Sequence, residues 1–310
     1  MDHTRTLTIL ALFGMTTLAC ASGSGDGSRG GDAASEIGRP SADVTAPAAL
    51  PYVGVGTDYS CGVRRSGTVV CWGEEVPGGE TPLADTFIQV GGGESHTCGL
   101  KADGSIVCWG IDADGSCTPP AGPFVQLAAG VDHSCALRGD GSIACWGANS
   151  SGEGTPPAGT FVQIAAGDGQ TCGVKIDGTV SCWGNNSSGE STPPAGTFTR
   201  VSAGNYLTCG LRTDGSIACW GQNDSGQCTP PAGTFTQVGA GGPYACAIRT
   251  DGTMACWGDN YAGYCTPPAG AFTQIAAGGN HACAVTTDGT VACWGEDGSD
   301  QCRVPAGAFP

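Results

Sequence analysis

The chain has 310 residues, among them 55 Gly, 19 Pro and 19 Cys, and 40 % of the residues are hydrophobic. That apolar share argues against a disordered polymer, in spite of the Gly and Pro content. A net charge of −16 argues against nucleic acid or an anionic bilayer surface as a partner of the folded part, and predicts solubility with some attraction for basic partners.

From the N-terminus, Arg5 precedes an apolar run from Leu7 to Leu18 that is too short to span a bilayer and reads as a signal peptide over residues 1–20. Thr17-Leu18-Ala19-Cys20 resembles the lipobox of bacterial lipoproteins, which implies lipidation of Cys20 and an envelope or secreted location. Residues 21–49 are Gly, Ser, Ala, Asp and Pro with little to bury. A flexible tether with a reach of roughly 30 Å is expected there. An export signal also accounts for a cysteine content that a reducing cytosol would not favour.

Residues 50–310 are then an array. Cys61, Cys98, Cys135, Cys172, Cys209, Cys246 and Cys283 stand 37 residues apart, and each is followed ten residues on by a second cysteine, from Cys71 to Cys293. A Trp-Gly pair follows every second cysteine and uses all seven tryptophans. A fixed period of this size means a solenoid or a propeller.

The fifth unit shows why the unit is β. Phe198–Ala203 (FTRVSA) alternates and is β-branched, Tyr206–Arg212 (YLTCGLR) forms a second strand and Ser216–Trp220 (SIACW) a third. Thr213-Asp214-Gly215 is a three-residue hairpin loop with Gly at the left-handed position. Such a loop sets Leu211 against Ile217 and Cys209 against Cys219, close enough for a disulfide. The same pairing is expected for Cys61–Cys71, Cys98–Cys108, Cys135–Cys145, Cys172–Cys182, Cys246–Cys256 and Cys283–Cys293. The alternative is a small buried pair without a bond; the export signal favours seven disulfides.

Three short strands cannot bury two faces alone, so neighbouring units must cover each other. Near-uniform repeats without capping units favour a closed ring over an open stack. The expectation is therefore all-β, a seven-bladed propeller of 37-residue, three-stranded blades.

Gly279-Asn280-His281-Ala282-Cys283-Ala284-Val285, Asp288-Gly289-Thr290-Val291 and Cys293-Trp294-Gly295 resemble repeats of the regulator of chromosome condensation (RCC1) family. The run from Trp220 to Pro230 resembles the short-unit branch that includes β-lactamase inhibitor protein II, and implies a seven-bladed propeller with three-stranded blades. Fold follows from such a resemblance far more strongly than activity.

If the first strand of each unit runs up, the turns after it share a face with the segments after Trp-Gly. This face carries the residues that differ from unit to unit. It is expected to bind a protein partner through Tyr59, Glu74, Glu94, Asp112, Asp114, Asp132, Tyr206, Asn223, Tyr244, Tyr261 and Tyr264, since aromatic and acidic side chains there can act as anchors. An enzyme acting on a glycan or peptidoglycan fragment and a purely structural envelope protein are the rival readings. No catalytic constellation, cofactor motif or metal set stands out, and a monomer is expected. His96, His133 and His281 share one register and are expected to hydrogen-bond a neighbouring loop rather than a metal. Asp112-Ala113-Asp114-Gly115 misses the spacing of a calcium loop. Cys117, Cys228, Cys265 and Cys302 share a register seven residues past Trp-Gly and are expected as free, partly buried thiols.

At the C-terminus Phe309 falls at the register that opens a first strand, but only Pro310 follows it. Tyr52–Val55 is therefore expected to complete a blade begun by the C-terminal hairpin.

Overall fold

The structure, a computed structural model, describes residues 52–73, 85–307 and 309. The signal peptide, Cys20, the tether and Glu74 lie outside these described residues. Among them the chain forms twenty-one strands in seven separate three-stranded antiparallel sheets, each built from strands consecutive in sequence. The molecule is a seven-bladed propeller.

Local chemistry explains each blade. In the fifth, the inner strand Phe198–Ala203, middle strand Leu207–Arg212 and outer strand Ile217–Gly221 pair in order. The Asp-Gly loop closes with Gly215 at φ +84°, a left-handed conformation that glycine adopts without a Cβ clash. Asp214 Oδ1 accepts hydrogen bonds from the Ser216 amide and hydroxyl, at 2.9 and 2.6 Å. The resulting register sets Leu211 opposite Ile217 and Cys209 opposite Cys219. All seven hairpin disulfides are formed. On the other side, Phe198 pairs with Arg212 and Arg200 with Leu211, so Thr199 is an extra residue in the inner strand. This bulge turns the strand where it leaves the rim.

Blades meet through two side-chain systems. Phe and Trp of one blade pack ring against ring, edge to face for Phe198 and Trp220 at 6.0 Å and tilted for Phe87–Trp109, Phe161–Trp183 and Phe272–Trp294, and the indole Nε1 of Trp220 donates to the Glu190 carbonyl of the preceding connection at 2.8 Å. Near the axis, glutamines of the inner strands act as short β-bridges. Gln163 accepts from the Val201 amide at 2.7 Å and donates to the Val201 carbonyl at 3.0 Å. Gln89 does the same with Leu127, and Gln126 with Ile164. Such bonds satisfy backbone groups that would otherwise be stranded between sheets.

Ring closure corrects one sequence expectation. Tyr52–Val55 does not complete the C-terminal hairpin; it pairs with Tyr59–Val63 in its own sheet, with Gly54 opposite Cys61. The first and last blades join through side chains instead. Gln274 accepts from the Val53 amide at 2.9 Å and donates to its carbonyl at 2.8 Å. Trp72 Nε1 donates to the Gln301 carbonyl at 2.9 Å. Phe309 takes the aromatic position of the first blade, packing edge to face on Trp72 at 6.0 Å. Gly62 makes room for it: a Cβ there would stand 2.3 Å from Phe309 Cζ. Sharing a strand was the expectation because Phe309 opens a first-strand register that does not continue; a single buried phenyl, one bidentate glutamine contact and the Trp72 bond join the blades without it.

Candidate functional site

Strand direction sorts the loops. Inner strands run toward the turns at Asp58, Glu94, Asp132, Asp168 and Tyr206, and outer strands end on that same side, at each Trp-Gly. The Asp-Gly hairpins lie on the opposite side. The two faces differ in charge. Arg64, Arg65, Lys101, Arg138, Lys175, Arg212 and Arg249 all sit at the hairpin side, opposite the turns, where Arg138, Arg212 and Arg249 cover the rings of Phe124, Phe198 and Phe235 at 4.9, 4.8 and 5.4 Å. Among the described residues, the only Lys or Arg on the turn side is Arg303, and it is paired with Asp297 and Asp300. The turn face is thus anionic over most of its area.

The residues expected to bind a partner divide by burial. Tyr59, Tyr244 and Tyr264 are buried, which corrects their assignment as surface anchors. Tyr59 OH donates to the His96 carbonyl at 2.7 Å, and Tyr244 OH to the His281 carbonyl at 2.7 Å. Tyr264 stacks on Tyr244 with centroids 5.3 Å apart. The register of Tyr59 and Tyr244 holds a latch between adjacent blades. His96 Nε2 meets Ser134 Oγ at 2.9 Å, His133 Nε2 meets Thr171 Oγ1 at 2.7 Å, and His281 Nε2 meets Ser60 Oγ at 2.8 Å. Gln170 reaches the Gly204 carbonyl at 2.8 Å. Several side chains meet one geometric demand, so variation at this register reflects interchangeable latches. Burial lowers the pKa of all three imidazoles to about 4, leaving them neutral.

Asp112 and Asn223 are engaged within their own loops. Asp112 Oδ1 accepts from the Cys117 amide and Asn223 Oδ1 from the Cys228 amide, both at 2.8 Å. Asn149, Asn186, Asn260 and Asp297 close the corresponding loops in the same way. Asp114, at φ 53°, is exposed, as are Glu94 and Asp132. Tyr206 is 42 % exposed and Tyr261 91 %. The free thiols Cys228, Cys265 and Cys302 each donate to a carbonyl six residues earlier at 3.2 Å, and burial raises their pKa to about 11, 11 and 12. Ser191 Oγ makes the equivalent bond to the Asn185 carbonyl at 2.6 Å, so these cysteines act as loop closures.

A polar cavity of about 210 Å³ opens on the turn face, spanning the third to fifth blades. It gathers Asp132 and Tyr206 from the expected set and adds His133, Glu153, Asp168 and Asn185. Asp168 shares the register of Glu94, one step from Asp132, and that recurrence was the signal available in the sequence. Burial, together with the charges of Asp132 and Glu94, raises the Asp168 pKa. Among the described residues no group of three or more His, Cys, Asp or Glu is placed to hold a metal ion.

The repeats at residues 87–116, 124–153, 161–190, 198–227, 235–263 and 272–301 match the model of the regulator of chromosome condensation (RCC1) repeat. Among solved structures, the chain is similar to the ectodomain of the Physcomitrella patens receptor kinase CR4, at 28 % identity over 80 % of this chain and 73 % of that one, with a TM-score of 0.69. It is also similar to the CRINKLY WD40 ectodomain of the Arabidopsis thaliana receptor kinase ACR4, at 27 % identity over 80 % and 97 % of the two chains, with a TM-score of 0.66. Prp20p from Saccharomyces cerevisiae shares the fold at 17 % identity over 73 % and 80 %, with a TM-score of 0.63. No curated protein sequence matches the chain.

Proposed function

The chain belongs to the RCC1 repeat family, and from that premise we propose that it is an exported protein-binding module that meets its partner with the turn face of the propeller. The observation that carries this reading is the imbalance of charge: among the described residues the exposed carboxylates of the turn face have Arg303 as their one cation, whereas those of the hairpin loops, such as Asp103 and Asp140, stand beside Lys101 and Arg138. A surface of one sign steers an oppositely charged partner and rejects like-charged ones. Glu94, Asp132, Tyr206 and Tyr261 are the exposed members of the candidate set that supply charge and aromatic area. Prp20p, whose fold is shared, is described as binding Gsp1p and histones; protein binding is a use to which this fold is put.

Seven disulfides and two receptor ectodomains among the similar structures support a location outside a reducing cytosol. Lipidation of Cys20 tethers the head to the bacterial envelope.

Crosslinking in intact cells followed by affinity capture of the whole chain tests the reading. A specific protein is expected with the wild type, and its recovery is expected to fall at least tenfold for the Glu94→Gln, Asp132→Asn, Tyr206→Ala, Tyr261→Ala variant, whose surface positions leave the core untouched. Undiminished capture by that variant removes the turn face as the interface. Replacing Cys20 by Ser is expected to release the chain from the membrane fraction.

A further inference from the structure

The cavity of the third to fifth blades carries the assignment further. We infer that it receives one basic side chain of the partner, the guanidinium of an arginine or the ammonium of a lysine. This rests on the protein-binding reading above and names the chemistry of the contact.

The inference begins with what the cavity lacks. No Lys or Arg borders it, and neither the Asp132 nor the Asp168 carboxylate has a hydrogen bond or ion pair with a described residue. By contrast, the Glu153 carboxylate is occupied, accepting from the amides of Ser150 at 3.2 Å and Ser151 at 2.7 Å. Two free carboxylates on adjacent turns, one half-buried, repel each other, and a cation between them relieves that repulsion.

A second group in the cavity points the same way. His133 is 1 % exposed and borders the cavity. The Thr171 hydroxyl donates to the Glu153 carbonyl at 2.9 Å, so it can only accept from His133 Nε2. The imidazole proton therefore sits on Nε2, and Nδ1 is left as an acceptor without a partner. In His96 and His281 the same atom is sealed in the core; in His133 it is not. An acceptor without a partner on a side chain that lines the cavity can take an N–H from a ligand there.

Size and walls complete the fit. About 210 Å³ is below the range of pockets for drug-sized molecules and suits one extended side chain head. The exposed phenol ring of Tyr206 borders the same space and can lie against a cation. The planar fork of a guanidinium can bond two carboxylates at once, which favours arginine over lysine.

Ligand-observed NMR with the whole folded chain tests this, using acetyl-Gly-Arg-Gly-amide and its citrulline counterpart as probes. Millimolar binding of the arginine peptide is expected, at least tenfold weaker for citrulline, which keeps the shape and loses the charge. Asp132→Asn and Asp168→Asn are each expected to weaken it at least fivefold, and Glu296→Gln, on the same face but in the seventh blade, to leave it unchanged. Equal affinity for the two peptides, no binding, or equal loss in Glu296→Gln overturns the assignment. If arginine binding fails while cellular capture still depends on the turn face, only the cavity assignment falls. If arginine binds but no protein is captured, the partner-side-chain assignment falls with the protein-binding reading.

Discussion

At the residue scale, the three latch imidazoles make stability depend on acidity. Their folded pKa of about 4 lies below the ordinary 6.5, so the unfolded chain binds protons that the folded chain refuses. Stability is therefore full above pH 6.5 and falls as the pH drops from there to about 4, by on the order of 3 kcal/mol for each imidazole. Urea midpoints measured across that window should decline steeply. The decline should be shallower in His281→Gln, because Gln170 shows that glutamine can fill this register. A midpoint independent of pH between 6.5 and 4 would falsify the latch role. Thiol chemistry gives a second residue-scale outcome. With pKa values of about 11 to 12, Cys228, Cys265 and Cys302 carry almost no thiolate at neutral pH. Ellman's reagent should titrate them slowly in the native chain and rapidly in denaturant; fast native labelling would contradict their part as loop closures.

Elements in this fold are hairpins, and each is stapled across its non-terminal pair of cysteines. Replacing Cys209 and Cys219 by Ala should cost about 2–3 kcal/mol by the chain-entropy argument, read as a lowered melting temperature of the oxidised protein. The double substitution should leave the register intact, because the Asp-Gly loop sets it. Gly215→Ala tests the loop itself: the left-handed backbone should cost about 1–2 kcal/mol, more than a typical exposed glycine replacement. At this scale the sequence was almost fully readable. Loop length, the Asp-Gly pair and β-branched alternation are local, and local geometry is what fixes a two-strand register. The exception was the Asx position, where Asp112 and Asn223 were read as binding surface although each side chain closes its own loop.

For the whole molecule, closure is the decisive step. Phe309 is buried against Trp72, and Phe309→Ala should cost about 3–4 kcal/mol, as expected for a core phenylalanine with a rigid surrounding. Thermal unfolding of this variant beside Phe272→Ala checks the point. Comparable losses would show that Phe309 carries as much weight in the first blade as its equivalent does within the seventh. A loss below 1 kcal/mol would show that the ring closes without it. The charge difference between faces also belongs to this scale, because units such as Asp132 with Arg138 and Asp168 with Lys175 repeat it in the same sense around the ring.

Much of this protein is written in its period. Residues 37 apart repeat the same hairpin, cysteine pair and Trp-Gly, and these follow from short-range geometry, so the sequence alone determined the blade, the disulfides and the number of blades. Only the tertiary structure decided which varied positions face water. Tyr59 and Tyr244 vary with their register yet lie inside an inter-blade latch, whereas Tyr206 and Tyr261 remain outside. Burial in a propeller depends on the neighbouring blade, and a repeat alignment compares units without showing where they touch. The cavity is the clearest case: Asp132, Asp168 and Tyr206 come from three blades, and only the ring brings their side chains to one space.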